Sequence, residues 1–305
     1  MATFYRIIVA SVLLLSTPCF ALHTPTEAGF YLPAHLQETR FTYTVINNLI
    51  VLPVRINDSI QVNLILDTGC RNLVLFGKKF GKLFHTEAGR TVEFSGLGSG
   101  RTVQGKLSLG NKVAIDAVLG NRIPVVVIPE QNLFSEYPNV HGVIGYDLFI
   151  KFEVELHPGK QEITLRPAAT ASLPAGYQHV PIEVTDSRPL IQATVFLQKQ
   201  ETGQACNLMI DTGSARGLLL KTTDLCSYRK GPSRTLGRGF NGLIKGYETF
   251  SHKLLLATLE MNNLSTGIIY AQWQNYASVG MEVLKDYKLV LNYCKGYAGF
   301  KSLDV

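Results

Sequence analysis

Apolar runs of six to eight residues recur along the chain and are broken by Asn, Asp, Gly and Pro. "FTYTVI" (41–46), "LIVLPVRI" (49–56), "IQVNLIL" (60–66), "VAIDAVL" (113–119), "IPVVVI" (123–128), "LIQATVFL" (190–197), "KLLLATL" (253–259) and "KLVLNY" (288–293) each read as a strand. They are rich in the branched and aromatic side chains that fit a pleated surface, and turn residues bound them. Long windows with apolar residues at the 3.6 period of a helix are scarce. The pattern predicts an all-β protein with a few short helices.

The pattern also repeats. "NLILDTGCRNLVLF" (63–76) returns as "NLMIDTGSARGLLL" (207–220), so the two Asp-Thr-Gly triplets lie 211 − 67 = 144 positions apart. Around each triplet the same landmarks follow in one order. A hairpin ("RINDSIQ", "KQETGQA") leads into an apolar strand, the triplet and a second apolar run. A glycine-rich tract comes next (95–105, 236–246), then an apolar pair, a glycine and a short helix-like piece near Gly145 and Gly280. Four ordered landmarks at domain-sized spacing indicate an internal duplication. Between the copies, "RPAATASLPAGYQHVP" (166–181) has the prolines and small residues of a connector. The expected division is one unit at 41–166, a linker at 167–180 and a second unit at 181–305.

Composition narrows the function classes. The chain has 305 residues, 46% hydrophobic and 17% charged, enough apolar material for one or two cores. Its formal charge of +6 is not gathered into a basic run interleaved with aromatics, so nucleic acid is not an expected partner. At the start, Arg6, an apolar run from Ile7 to Leu15 and Cys19-x-Ala21 have the layout of a signal peptide, 1–21, cut after Ala21. That run is far short of the ~20 residues that span a bilayer, and no later segment reaches that length. Export to the periplasm or outside is therefore expected, leaving an N-terminal segment at 22–40. The exported part carries Cys70, Cys206, Cys226 and Cys294, which allow one or two disulfides of open connectivity. The chain has no His-Glu-x-x-His and no Gly-x-Ser-x-Gly. Gly237-Arg-Gly239-Phe-Asn-Gly242 fits a dinucleotide fingerprint in letters only, because no helical apolar face follows it.

Two Asp-Thr-Gly triplets, each set between apolar strands and each joined later by an apolar-apolar-Gly element, resemble the aspartic proteases of the pepsin and retropepsin kind. The resemblance runs from Phe41 to Leu303, and the shortness of each half resembles a retropepsin dimer fused into one polypeptide. It implies two pseudo-symmetric β-barrel lobes with Asp67 and Asp211 as the catalytic pair. Thr68, Gly69, Cys70, Thr212, Gly213 and Ser214 are implied to support that pair, the threonines by bonding across to the other lobe and Ser214 by bonding the outer oxygen of Asp211. On that last basis Asp211 is the implied base. The glycine-rich tracts, with Gly96, Gly98, Gly100, Gly237, Gly239 and Gly242, are implied to be flaps over an extended peptide or unfolded protein, and the active form is implied to be a monomer.

The chemistry needs the triplet twice. Hydrolysis by water requires a base for the water proton and an acid for the carbonyl oxygen, and two adjacent carboxyls that cannot both ionise supply them by sharing one proton. No metal, covalent nucleophile or organic cofactor is required. The rival expectation is a catalytically silent, protease-like peptide-binding or scaffolding protein. A binder gains nothing from burying two acids, which favours the enzyme. Two positions depart from the family pattern: Cys70 stands where a serine or threonine is usual, and Ser278 stands where the first half has Val143. Cys70 is expected to stay a free thiol, leaving any bridge to Cys206, Cys226 and Cys294. Leu22 to Arg40 holds a single Arg and no Lys, unlike a cationic propeptide.

Overall fold

The computed structural model describes residues 28–86, 90–129, 136–199, 202–225, 232–271 and 276–303. The expected signal peptide at 1–21 and Cys226 lie outside the described residues. The first half contains β1 (Gly29–Tyr31), β2 (Thr39–Thr42), β3 (Thr44–Ile46), β4 (Leu49–Ile56), β5 (Ile60–Leu66), β6 (Leu73–Phe76), α1 (Phe80–Leu83), β7 (Thr91–Phe94), β8 (Val103–Ile115), β9 (Val118–Ile128), β10 (Gly142–Ile144), α2 (Tyr146–Phe149), β11 (Phe152–His157) and β12 (Glu162–Pro167). The second half contains β13 (Gln178–Pro181), β14 (Glu183–Thr185), β15 (Arg188–Phe196), β16 (Gln204–Asp211), β17 (Leu218–Thr222), β18 (Arg234–Gly239), β19 (Gly242–Leu256), β20 (Leu259–Tyr270), β21 (Ala277–Gly280), α3 (Met281–Leu284), β22 (Tyr287–Asn292) and β23 (Tyr297–Ser302). The protein is all-β, and each described α-helix is four residues long.

Tight turns set the strand order. Asn47 and Asn48 take left-handed φ of 48° and 63°, which a two-residue hairpin of type I′ needs and which Asn tolerates, and they join β3 to β4. Two apolar runs that read as single strands turn out to be two-residue hairpins whose first turn residue alone is left-handed. "VAIDAVL" folds back at Asp116 (φ 50°) between β8 and β9, and "KLLLATL" folds back at Ala257 (φ 51°) between β19 and β20. Apolar residues on both sides of each turn conceal it, and in the second the turn residue is an alanine that carries no local turn signal.

Pairing gives three sheets. The first runs β1-β9-β6-β10-β5-β4-β8-β7, with β3 on β4, and β8 also pairs with β9. The second runs β14-β15-β16-β21-β17-β20-β19-β18, and β15 also pairs with β19. Apart from β1, the two paths correspond strand for strand, with β14 the counterpart of β3. β10 lies parallel to β5 and antiparallel to β6, as β21 lies parallel to β16 and antiparallel to β17.

The third sheet, β13-β23-β22-β11-β12-β2, takes three strands from each half and joins them where β11 pairs with β22. Its centre buries Glu153, which is fully shielded and is held by Arg166 Nη1 at 3.4 Å, Asn292 Nδ2 at 3.4 Å and the Tyr297 hydroxyl. A buried carboxylate with three donors is satisfied where an unpaired one would cost several kcal/mol. The expected linker is packed into this sheet: Pro167 ends β12, Gln178 to Val180 lie in β13, and Ala168 and Ala171 are buried. Residues 22–40 also contribute, through β1 against β9 and the start of β2 against β12. One apolar cluster runs through both halves, from Leu64, Ile144 and Phe152 to Leu208, Val279 and Leu289.

Candidate active site

Asp67 follows β5 directly and Asp211 ends β16, the equivalent strands of the two sheets. The Asp67 N–H donates to Ile144 O at 2.8 Å, and Asp211 stands opposite Gly280 in the β16–β21 register. Each triplet then turns on its own aspartate. Gly69 N–H donates to Asp67 Oδ1 at 2.7 Å and Gly213 N–H donates to Asp211 Oδ1 at 3.1 Å.

The threonines cross between the halves and are fully buried. Thr68 Oγ1 donates to Ile210 O at 2.6 Å and accepts the Thr212 N–H at 3.0 Å. Thr212 Oγ1 donates to Leu66 O at 2.7 Å and accepts the Thr68 N–H at 3.1 Å. The carbonyls engaged are those just before each aspartate, so four bonds fix the spacing of the two turns. Gly213 abuts the opposite carboxyl: a Cβ there would lie 2.3 Å from Asp67 Cγ. The glycines of the later landmarks are close-packed too, since a Cβ on Gly145 would meet Cys70 O at 2.1 Å and one on Gly280 would meet Arg216 O at 2.4 Å.

The structure thus brings Asp67, Thr68, Gly69, Asp211, Thr212 and Gly213 together. Cys70 and Ser214 stand beside them, each donating its backbone N–H to the carbonyl of its own aspartate at 3.2 and 3.3 Å, but their side chains serve other partners. The Cys70 thiol is buried and donates to Asn72 O at 3.1 Å, and Ser214 Oγ accepts the Arg216 N–H at 3.4 Å and makes no hydrogen bond to the Asp211 carboxyl. The basis for naming Asp211 the base is therefore absent, and the shared proton belongs to the pair. Cys70, Cys206 and Cys294 are free thiols.

Both carboxyls titrate above the usual carboxylate range. Burial is the main cause for each, and Asp211 is raised further by the charge of Asp67. Opposing this, Arg188 favours the anion at both, Lys221 favours it at Asp211, and the triplet N–H groups favour it at each. Two further polar groups are buried close by without a hydrogen-bond partner among the described residues: Asp147 Oδ2 on α2 and the Tyr293 hydroxyl. Burial raises Asp147 to about 6, partly offset by Arg71. Burial and the two aspartates push the Tyr293 hydroxyl well up, and its ring stacks on Phe149 at 5.1 Å.

The glycine-rich tracts are the tips of the β7–β8 and β18–β19 hairpins, and they meet each other. Asn241 is the link: its Oδ1 accepts the Gly98 N–H at 2.7 Å, and its Nδ2 donates to Gly98 O at 2.8 Å and Gly100 O at 3.3 Å. Its backbone carbonyl accepts the Gly100 N–H at 2.7 Å. The approach requires glycine, since a Cβ on Gly100 would lie 2.0 Å from Asn241 O and one on Gly96 would lie 2.5 Å from Asn241 Oδ1. Gly239 faces Gly98 N, Gly242 takes a left-handed φ of 112°, and Gly237 borders open space. Phe240 packs on Phe76 and Phe94 with centroids at 5.5 and 5.4 Å. The Gly-x-Gly-x-x-Gly letters thus belong to an antiparallel hairpin, without the strand-to-helix turn a dinucleotide site uses.

One cleft of about 1240 Å³ is lined by both aspartates and by both hairpins. Sequence reasoning missed its cations. Arg188, at the start of β15, and Lys221, at the end of "GLLLK", line the same cleft, with Lys221 Nζ 4.2 Å from the ring centre of Tyr276. Lys221 had a signal: it ends an apolar run whose first-half copy ends in Phe76. Asn241 lies within the glycine-rich tract at 236–246, where its residue type does not tell it from an ordinary hairpin tip.

Two neighbouring carboxyls that resist double ionisation can hold one proton between them and act as base and acid on the same ligand. Among the described residues no group of three or more His, Cys, Asp or Glu is arranged to hold a metal ion, and no helix is long and apolar enough to cross a membrane. No curated protein matches the chain. Residues 52–148, which hold Asp67 and the first hairpin and end before the second triplet, match a family model described as aspartyl protease, and this supports a protease-like, hydrolytic function.

Proposed function

We propose that this chain is an exported aspartic endopeptidase of the pepsin and retropepsin kind, with two retropepsin-like lobes in one polypeptide. A water molecule between Asp67 and Asp211 gives its proton to the ionised carboxyl as it attacks the peptide carbonyl. The protonated carboxyl donates to the carbonyl oxygen, and the proton then passes to the leaving amine. The observation that carries this reading is the reciprocal bonding of Thr68 and Thr212, which aligns two Asp-Thr-Gly turns and directs two half-buried carboxyls at one cleft.

The reading also accounts for the cleft. Two hairpins and an open trough suit an extended segment of peptide held by backbone hydrogen bonds, with alternate side chains in pockets. The closed path of each sheet supports two barrel-like lobes, and the single-chain pairing of both triplets supports a monomer. The layout of residues 1–21 supports export. The chain without residues 1–21 should cleave an unfolded protein into peptides, and a statine-type inhibitor, which places a hydroxyl between the two carboxyls, should stop it. Cleavage that the inhibitor leaves untouched, or none at any pH, would remove this reading.

A further inference from the structure

The strand registers allow positions around the cleft in one half to be matched with their counterparts in the other, and of these Leu49, Ile65, Val143, Arg188, Met209 and Lys221 line the cleft itself. Ile65 and Met209 are equivalent, because they pair with Val51 and Val143 in the first sheet and with Leu190 and Ser278 in the second. Counting from those pairs, Leu49 corresponds to Arg188, Val143 to Ser278 and Phe76 to Lys221. The first-half members are all apolar and no more than 9% exposed, and they belong to one cluster. Their second-half counterparts are a guanidinium and an ammonium that line the cleft and a buried hydroxyl behind it. The backbone is duplicated, but the chemistry of the wall is not.

Among the described residues neither Arg188 nor Lys221 makes an ion pair with an acidic side chain. Arg188 Nη1 donates to the backbone carbonyl of Asp186 at 3.4 Å, and Lys221 rests on the face of Tyr276. Burial drives the Lys221 ammonium down to about 8, although Asp211 acts the other way. A half-buried cation with no ion-pair partner among the described residues carries a desolvation cost that an anionic ligand would offset. The dyad, with one proton for two carboxyls, carries a single negative charge against these two positive ones.

We propose that the cleft takes an asymmetric peptide, with an apolar side chain against Leu49, Ile65 and Val143 and a carboxylate against Arg188 and Lys221. The proposal rests on the protease reading and names its substrate class. The carboxylate comes from a Glu or Asp side chain or from the end of a chain.

The test compares octapeptides with an apolar residue on one side of the scissile bond and Glu or Gln on the other, together with peptides that end there as a free acid or an amide. One charge-assisted contact should favour Glu over Gln, or acid over amide, by about ten-fold or more in kcat/KM. The favoured pair identifies the source of the carboxylate. Lys221→Met and Arg188→Gln should each bring the ratio toward one, and Lys221→Arg should keep it, which guards against a Lys221→Met chain that does not fold. A wild-type ratio near one overturns the proposal and leaves the protease reading standing. So does an equal loss on Glu and Gln substrates, which would mean that the cations act on the dyad alone. If no peptide is cut, the protease reading fails, and calorimetry on the same peptides decides: tighter binding of the acid that Lys221→Met abolishes supports the anionic subsite, and equal binding or none overturns it.

Discussion

Thr68 and Thr212 hold each other's backbone: each hydroxyl accepts the other's N–H and donates to the carbonyl that precedes the other's aspartate. All four groups are shielded from water, so losing one hydroxyl leaves a buried carbonyl and a buried N–H without partners. Thr68→Val, nearly isosteric, should destabilise the fold by ~2–4 kcal/mol in denaturant titration, at ~1–3 kcal/mol for each orphaned group. Thr68→Ser keeps the hydroxyl and should cost far less. Equal unfolding midpoints for Val and Ser would show that the bonds do not stabilise the fold.

Gly213 separates position from stability. A Cβ there would lie 2.3 Å from Asp67 Cγ, and a carboxyl at the edge of a cleft moves aside more readily than a core strand. Gly213→Ala should lower turnover by ~100-fold, the usual cost of misplacing a reacting group by about 1 Å, with a much smaller effect on melting. Gly69→Ala, whose Cβ would lie 3.1 Å from Asp67 Oδ1 and from Met209 Cε, should lose less. The reverse order of the two would count against this geometry.

The raised dyad predicts a pH dependence of stability with a definite sign. Because burial favours the protonated forms of Asp67 and Asp211, the folded state binds protons more tightly than the unfolded chain. The stabilisation is fully present below the unfolded carboxylate value near ~4 and is lost as pH rises through the raised folded values. Asp67→Asn removes one of these groups. It should melt higher than wild type at about pH 7.5 and gain little at about pH 3.5, as read by calorimetry at both. A gain confined to the acid side would reverse the assigned shifts.

Some of this architecture shows in the residues before any coordinates. The triplets, the landmarks that follow them and most strands appear because each is local: an apolar run, a turn residue, a glycine forced by a close contact. The interleaved sheet of β2, β11, β12, β13, β22 and β23 is built from pairings across the whole chain, so no window of sequence contains it. The turns at Asp116 and Ala257 are hidden inside apolar runs. The resemblance implies a bond from the Ser214 hydroxyl to Asp211, yet that hydroxyl accepts the Arg216 N–H. Lys221 reads as the polar end of a strand until the register sets it opposite Phe76 in the other half.

Asn241 ties the two hairpins, so its loss should act locally. Asn241→Ala removes the acceptor of the Gly98 N–H and both side-chain donors to the first hairpin, leaving the sheets intact. Hydrogen exchange at Gly98 should speed up by ~10-fold or more, about one hydrogen bond's worth of protection, while the amides of β5 and β16 keep theirs. KM should rise as the closed arrangement of the tips is lost. An unchanged exchange rate at Gly98 would mean that the tips are held together by something other than this side chain.

The dyad itself is tested by Asp67→Asn and Asp211→Asn, alone and combined, measured as cleavage of an unfolded protein with melting curves run alongside. Asparagine keeps the shape but cannot exchange the shared proton, so each single variant should fall by at least ~10⁴-fold, and the double variant should be little worse, because the two groups act as one unit. All three should remain folded. Either single variant cleaving at a rate near wild type would contradict the account.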